Sequence, residues 1–176
     1  MRTYPKRKAR TLTQMEIQTV VVGGLQMPSL IVLRSSEDEP VETHLPIRIG
    51  PVEAAAITEA IDHHDGHRPL THDLFSSTIE RLGGHVVAVH IVDVQGTTFF
   101  ANLCLERADG SLTEIDCRPS DAIALAVRTK APIYVRESVL ATATMPDFQK
   151  VEKDAEEQEM AAFHDFVEGL NPEDFA

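Results

Sequence analysis

Three acidic residues are spaced so that they could bind a metal ion, and an arginine lies between two of them. Asp116 and Asp121 flank Arg118 in the stretch D-C-R-P-S-D, and Glu53 has a comparable place in the earlier stretch G-P-V-E. Carboxylates that converge can bind Mg²⁺ or Mn²⁺ and activate water for phosphodiester hydrolysis. The alternative is structural, because an acid in the first turn of a helix caps it and offsets the helix dipole. An ion pair with Arg118 would likewise give Asp116 a structural role.

A histidine and an aspartate lie side by side in the stretch R-P-L-T-H-D-L, residues 68–74. Thr71 is a natural N-cap, which places His72 and Asp73 in the first turn of a helix. A histidine beside an aspartate can act as a general base or as a metal ligand. The structural alternative is that Asp73 offsets the helix dipole while His72 only forms a hydrogen bond.

The remaining histidines and cysteines form no recognisable metal motif. His63, His64 and His67 lie within five residues, but their spacing matches no zinc pattern, and a solvated loop is the favoured interpretation. Cys104 and Cys117 lie in strand-like stretches, which favours reduced, buried thiols. The sequence also contains no P-loop, dinucleotide-binding glycine motif or nucleophile elbow.

The two acidic stretches share one local design. Residues 113–117 alternate polar and apolar side chains, which is typical of a half-buried strand, and Pro119 then suits the first position of a helix. Residues 45–57 align with residues 113–125 without a gap, so that Glu53 matches Asp121. We interpret this as a weak duplication of a strand–helix unit that brings two helix N-termini near each other.

The rest of the chain predicts an α+β fold, a mixed and largely antiparallel sheet with helices packed on it. Hairpins are expected around Met27, Gln95-Gly96 and Asp109-Gly110. The predicted strands are Glu16–Val22, Ser29–Leu33, His44–Ile49, His85–Val94, Thr97–Glu106, Ser111–Cys117 and Ile133–Val135. The predicted helices are Pro51–His63, Thr71–Leu82, one that Pro119 opens, Glu137–Ala143, and an acidic amphipathic helix at Val151–Gly169.

Charge divides the 176 residues into three parts. The first ten residues hold five of the 16 basic residues and none of the 28 acids. We therefore predict a disordered basic arm at residues 1–14, a folded domain at residues 15–144, and an acidic helix and tail at residues 145–176. The acidic body repels polyanions, so binding of nucleic acid would need a metal ion or a local basic patch. With no signal peptide and no apolar run long enough to span a bilayer, a cytoplasmic location away from membranes is expected.

Three stretches together resemble the bifunctional nuclease domain family of bacteria and plants. They are G-P-V-E-A-A-A-I at residues 50–57, the stretch at residues 68–74, and D-C-R-P-S-D-A-I-A-L-A-V-R at residues 116–128. The resemblance spans roughly residues 15–144 and implies an α+β domain that is often oligomeric, with a dimer as the first expectation. It also implies hydrolysis of DNA and RNA. The motif positions that it offers as candidate site residues are Glu53, His72, Asp73, Asp116, Arg118, Ser120 and Asp121.

These observations support two hypotheses about function. The first is a nuclease in which Glu53, Asp116 and Asp121 hold Mg²⁺ or Mn²⁺. His72 would then transfer a proton, Asp73 would orient it, and Arg118 would clamp a phosphate. The second is a non-catalytic, homo-oligomeric regulatory or ligand-binding module, in which every one of these side chains has a structural role.

Overall fold

The structure is a computed structural model that describes residues 12–24, 27–37, 43–62 and 68–143. Within these ranges the chain forms seven strands and four helices. The strands are β1 (Leu12–Val21), β2 (Ser29–Ser35), β3 (His44–Ile49), β4 (His85–Gln95), β5 (Thr98–Glu106), β6 (Leu112–Cys117) and β7 (Ile133–Arg136). The helices are α1 (Pro51–Ile61), α2 (Thr71–Arg81), α3 (Pro119–Thr129) and α4 (Glu137–Thr142).

The described strands form one mixed sheet in the order β3-β2-β1-β7-β4-β5-β6. Strands β1 to β3 form one antiparallel meander and β4 to β6 form another. Strand β7 joins the two, because it pairs antiparallel with β1 and parallel with β4. The predicted α+β architecture with a largely antiparallel sheet is therefore confirmed.

The main hydrophobic core lies between the sheet and helix α3. Residues 122–126 of α3 are all buried, and three of these five residues are alanines. Small side chains let the helix lie close against β4 and β5, while α1 and α2 pack against its flanks. Helix α3 is therefore the fixed element against which the N-termini of α1 and α2 are placed.

Each meander ends in an edge strand that leads directly into a helix. Gly50 is the N-cap of α1 and Arg118 is the N-cap of α3, and a proline follows each of them. Both helices have eleven residues, and the third residue of each is an acid, Glu53 or Asp121. The strand–helix unit predicted from the sequence alignment is thus present twice, and the two copies of the helix contact each other.

Two local expectations differ from the structure. Strand β1 begins at Leu12, inside the segment assigned to the basic arm, because its first residues pair with β7. Thr71 was expected to cap α2, which is wrong, since Leu70 is the N-cap and Thr71 is already helical. The carboxylate of Asp73 takes over the capping role by accepting a hydrogen bond from the backbone N–H of Leu70 at 2.8 Å.

Three sequence expectations lie outside the described residues. They are most of the basic arm, the histidine loop at residues 63–67 and the acidic helix after residue 144. The division of the chain into three parts therefore stays a prediction. Among the helices that the structure describes, none has the length and apolarity needed to cross a bilayer.

The residue that follows the last turn of α3 gives a test of backbone strain. Lys130 adopts the left-handed conformation, with φ of 55°, and its N–H donates to the carbonyl of Ala126. The Cβ of an L-residue costs roughly 1–2 kcal/mol there, and glycine avoids that cost while losing about 0.5–1 kcal/mol of its own in entropy. We expect Lys130→Gly to raise the free energy of unfolding in urea by about 0.5–1 kcal/mol. Lys130→Ala keeps the Cβ and should give no such gain; equal gains for both variants would contradict this account.

Candidate active site at three helix N-termini

The N-termini of α1, α2 and α3 meet at an open cavity of about 650 Å³. Each helix start carries a partial positive charge from its unpaired backbone N–H groups, and three of them side by side favour a bound anion. The cavity is lined by residues of all three helix starts: Pro51, Val52, Glu53, Ala55, Ala56, Glu59, Leu70, Thr71, His72, Arg118 and Asp121. Four of the seven candidate residues therefore line one surface.

Arg118 lies between the two carboxylates that the duplication makes equivalent. Its Nη1 is 2.9 Å from Oε1 of Glu53, while its Nε and Nη2 donate to the two oxygens of Asp121 at 2.7 and 3.0 Å. In α2 the first-turn acid accepts a hydrogen bond from the N-cap backbone, whereas Glu53 and Asp121 show no such bond in α1 and α3 and pair with Arg118 instead. Their first-turn positions still offset the helix dipoles, as the structural alternative expects. The two acids converge as expected, and a guanidinium neutralises part of their charge. These hydrogen bonds, from Asp121 first and Glu53 second, raise the pKa of Arg118 above its usual range.

His72 contacts the same carboxylate from the α2 side. Its Nε2 lies 3.4 Å from Oδ1 of Asp121, and its side chain is largely buried. Partial burial raises the pKa of the Asp121 carboxyl, but Arg118 and then His72 outweigh it and hold that pKa below its usual value. Asp121 is therefore ionised at neutral pH and can hold the imidazole in the tautomer that carries a proton on Nε2.

Asp73 does not orient His72. Instead it caps its own helix and forms an ion pair with Nε of Arg128, near the end of α3. The Arg128 side chain is 8% exposed, and its Nη1 also donates to the carbonyls of Ala56 and Ala124 at 3.2 and 3.0 Å. This one guanidinium therefore ties α1, α2 and α3 together. The sequence showed a basic residue near a helix end, a pattern that dipole compensation alone explains.

Asp116 and Ser120 lie apart from the cavity. Cys117 packs on the core side of β6, so Asp116, one residue earlier, points to the opposite face of the sheet, where Asn102 of β5 is its ladder partner. Asp116 is exposed there, whereas Ser120 is buried in the first turn of α3. The structure thus groups Glu53, His72, Arg118 and Asp121, and it separates Asp116, Asp73 and Ser120 from them.

A second group of possible ligands lies on that opposite face. Donor atoms of His90, Cys104 and Glu114 all lie within 4.8 Å of one another. Burial lowers the pKa of His90 and raises the pKa of the Cys117 thiol to about 11. Both cysteines are reduced as expected, with Cys104 buried and Cys117 half-buried. Sequence reasoning missed the group because its members come from three separate strands.

Comparison with known proteins places the chain in a family. The model of the bifunctional nuclease domain matches residues 31–147. The chain belongs to this family. It is 41% identical over 138 residues to uncharacterized proteins from two strains of Mycobacterium tuberculosis, which covers 76% of this chain and 82% of theirs. It is also 35% identical over 112 residues to a rice protein named Bifunctional nuclease 2 (Oryza sativa subsp. japonica), which covers 62% of this chain and 34% of the rice protein. Each of the three motifs that predicted membership of the bifunctional nuclease domain family contributes residues to the lining of the cavity.

The ion pair of Asp73 with Arg128 gives a prediction about stability. Asp73→Asn keeps an oxygen to cap Leu70 but leaves the buried guanidinium without its counter-charge, so the free energy of unfolding should fall by about 1–3 kcal/mol. Burial raises the pKa of Asp73, but Arg128 and the Leu70 N–H outweigh it and hold the pKa below 3.8. The contribution of this carboxylate is thus present above that value and is lost as pH falls through the lowered pKa.

Urea unfolding at neutral pH and below pH 3.8 measures this contribution. The difference in the free energy of unfolding between wild type and Asp73→Asn should become smaller in acid. Glu80→Gln, an exposed acid on the same helix, is the control and should leave stability almost unchanged. A difference that stays constant across both pH ranges would mean that the ion pair does not stabilise the fold.

Proposed function

We propose that this protein is a nuclease that hydrolyses phosphodiester bonds of DNA or RNA at the three-helix cavity. The observation that carries the proposal is the meeting of two carboxylates, a guanidinium and an imidazole at three helix N-termini. Membership of the bifunctional nuclease domain family and the name of the rice relative support the same activity.

The cavity offers a local attraction for phosphate in a chain whose formal net charge is −12. Three helix starts and Arg118 provide positive charge on one surface, and a divalent cation would offset the acids Glu53 and Asp121 that share it. The Arg118 side chain is 66% exposed, so a phosphate can reach it and replace the carboxylates as its partner. The phosphodiester would be bound there against the repulsion of the acidic body.

His72 and Asp121 provide a pair suited to proton transfer. Asp121 lies against Nε2 of the imidazole, which leaves Nδ1 of the corresponding tautomer as the proton acceptor. An imidazole held in this way can take the proton from an attacking water. The role that the sequence assigned to Asp73 therefore passes to Asp121, which is in contact with the ring.

The oxygen donors suit a hard divalent cation. Glu53 and Asp121 together carry one more negative charge than Arg118 neutralises, and carboxylate oxygens are preferred ligands of Mg²⁺ and Mn²⁺. These two residues would hold the ion once Arg118 turns towards the substrate. When bound, such an ion polarises the phosphoryl group and lowers the pKa of its water. Asp116, on the other face of the sheet, is left out of this site.

Substitution of single acids tests the proposal. Asp121→Asn removes both the partner of His72 and a metal ligand, so cleavage of labelled DNA and RNA with Mg²⁺ or Mn²⁺ should fall by about 10²–10⁴-fold. Glu53→Gln should reduce the rate in the same direction, and EDTA should abolish it. Rates are measured on variants whose circular dichroism and melting temperature match the wild type.

Asp116→Asn is the matched control, because it removes a nearby carboxylate of the same motif that faces away from the cavity. It should cleave at the wild-type rate. Equal losses of cleavage rate in Asp116→Asn and Asp121→Asn would contradict the placement of the active site at the three-helix cavity. A wild-type rate in Asp121→Asn would exclude that placement. Retained nucleic-acid binding with no cleavage under any metal condition would favour the non-catalytic ligand-binding module instead.

Gly50 allows a test that keeps every candidate residue. A Cβ at this position would lie 2.1 Å from Oε2 of Glu53, so Gly50→Ala must displace the carboxylate from its place beside Arg118. The backbone of Gly50, with φ of −75° and ψ of 155°, suits alanine. Stability should stay the same or rise by about 0.4–1 kcal/mol, while the cleavage rate should fall.

Gly24→Ala is the control for this variant, since nothing lies within 4 Å of a Cβ at that position. It should leave the rate unchanged. Unaltered cleavage by Gly50→Ala would show that the position of Glu53 does not matter for the reaction. A mass from light scattering tests the expected homo-oligomer, which stays a prediction like the cytoplasmic location.

A further inference from the structure

We propose that His90, Cys104 and Glu114 form a binding site for a transition-metal ion of the Zn²⁺ class, on the sheet face opposite the three-helix cavity. The site is separate from the proposed nuclease site and does not depend on that function. Its three side chains come from three adjacent strands, β4, β5 and β6.

The register of the sheet explains why these residues meet. His90 is the ladder partner of Asn102, and Cys104 is the partner of Glu114. Side chains of partners and of residues two apart project from the same face of a sheet, so all four side chains share one face. Strand pairing rather than a mobile loop therefore sets the positions of the donors.

The spacing of the donors suits one metal ion. Sγ of Cys104 lies 3.4 Å from Nδ1 of His90, and a carboxylate oxygen of Glu114 lies within 4.8 Å of donors on both residues. Zinc lies about 2.3 Å from sulfur and about 2.0–2.1 Å from nitrogen, so two such ligands at a tetrahedral angle are about 3.5 Å apart. An S–H···N hydrogen bond also fits the first distance, and the carboxylate that the register places beside the pair supplies the third donor that a metal ion needs.

The types and burial of the donors favour a borderline metal over Mg²⁺. Cys104 is 1% exposed and His90 is 6% exposed, whereas Glu114 reaches the group from the exposed side. Thiolate and imidazole prefer Zn²⁺ and Co²⁺, and the carboxylate supplies charge. Asn102 donates to Oε2 of Glu114 at 3.0 Å, the kind of outer contact that holds a ligand in place. Three protein ligands leave one position of a tetrahedral ion for water.

Cobalt is a suitable probe because thiolate ligation changes its absorption. The reduced, full-length protein is stripped with a chelator, dialysed and titrated with Co²⁺. We expect one ion per chain, with a thiolate-to-cobalt charge-transfer band in the near ultraviolet and the visible bands of a tetrahedral ion. Zn²⁺ should bleach both sets of bands, because it binds such sites more tightly, and it should raise the melting temperature.

Substitutions locate the ion. Cys104→Ser should remove the charge-transfer band, and Cys117→Ser, the matched thiol control, should keep it. Glu114→Gln changes an exposed side chain, so it still tests the site if the variant of the buried cysteine does not fold. It should weaken Co²⁺ binding by at least about tenfold, while Glu137→Gln, an exposed acid on α4, should not.

Several outcomes would overturn the proposal. One is Co²⁺ bound without a thiolate band, which would place the ion on histidines or carboxylates elsewhere in the chain. Another is a band that depends on Cys117 instead of Cys104. Binding that is unchanged in Glu114→Gln would leave no role for the carboxylate, and no binding at all would leave the close contact as a hydrogen bond between His90 and Cys104.

Discussion

The arrangement of the helices depends on the buried guanidinium of Arg128. An unpaired buried charge costs several kcal/mol, so the three helices can pack only where Asp73 and the carbonyls of Ala56 and Ala124 all reach it. That requirement fixes how the start of α1 and the start of α2 lie relative to α3. The shape of the cavity is therefore set by a side chain that does not line it, and the candidate site residues depend on this contact for their spacing.

The second constraint is the near-symmetry of the two meander–helix halves. It brings equivalent positions together, which explains why Glu53 and Asp121 meet although they are far apart in sequence. The halves differ at the residue before the proline, where one has Gly50 and the other has Arg118. The arginine supplies the shared cation, and the glycine leaves room for the carboxylate of Glu53. The set of charged side chains in the cavity thus depends on the position at which the two halves differ.

Local patterns predicted the elements well because alternation, prolines and glycines act over a few residues. Which acids cap a helix could not be predicted, since Asp73 does and Asp121 does not, and the difference depends on arginines that reach them through the fold. The sequence could have predicted that Asp116 and Cys117 face opposite sides of the sheet, because the two residues are adjacent in a strand. The sequence did not show which face carries the helices. To predict that His90, Cys104 and Glu114 meet, one would need the register of three strands, including two irregularities in β4.

The unequal exposure of the two arginines makes the site sensitive to ionic strength. Arg128 is shielded from counter-ions, whereas Arg118 is 66% exposed, and salt weakens its ion pairs in part although they are much shorter than the Debye length of about 10 Å in 0.1 M salt. Added salt therefore loosens Arg118 from its carboxylates while the helices stay in place. The same salt would weaken the binding of the nucleic acid that the proposed function requires. Under the proposed function, ionic strength would therefore have two opposite effects, since it makes Glu53 and Asp121 easier to reach and weakens the binding of nucleic acid.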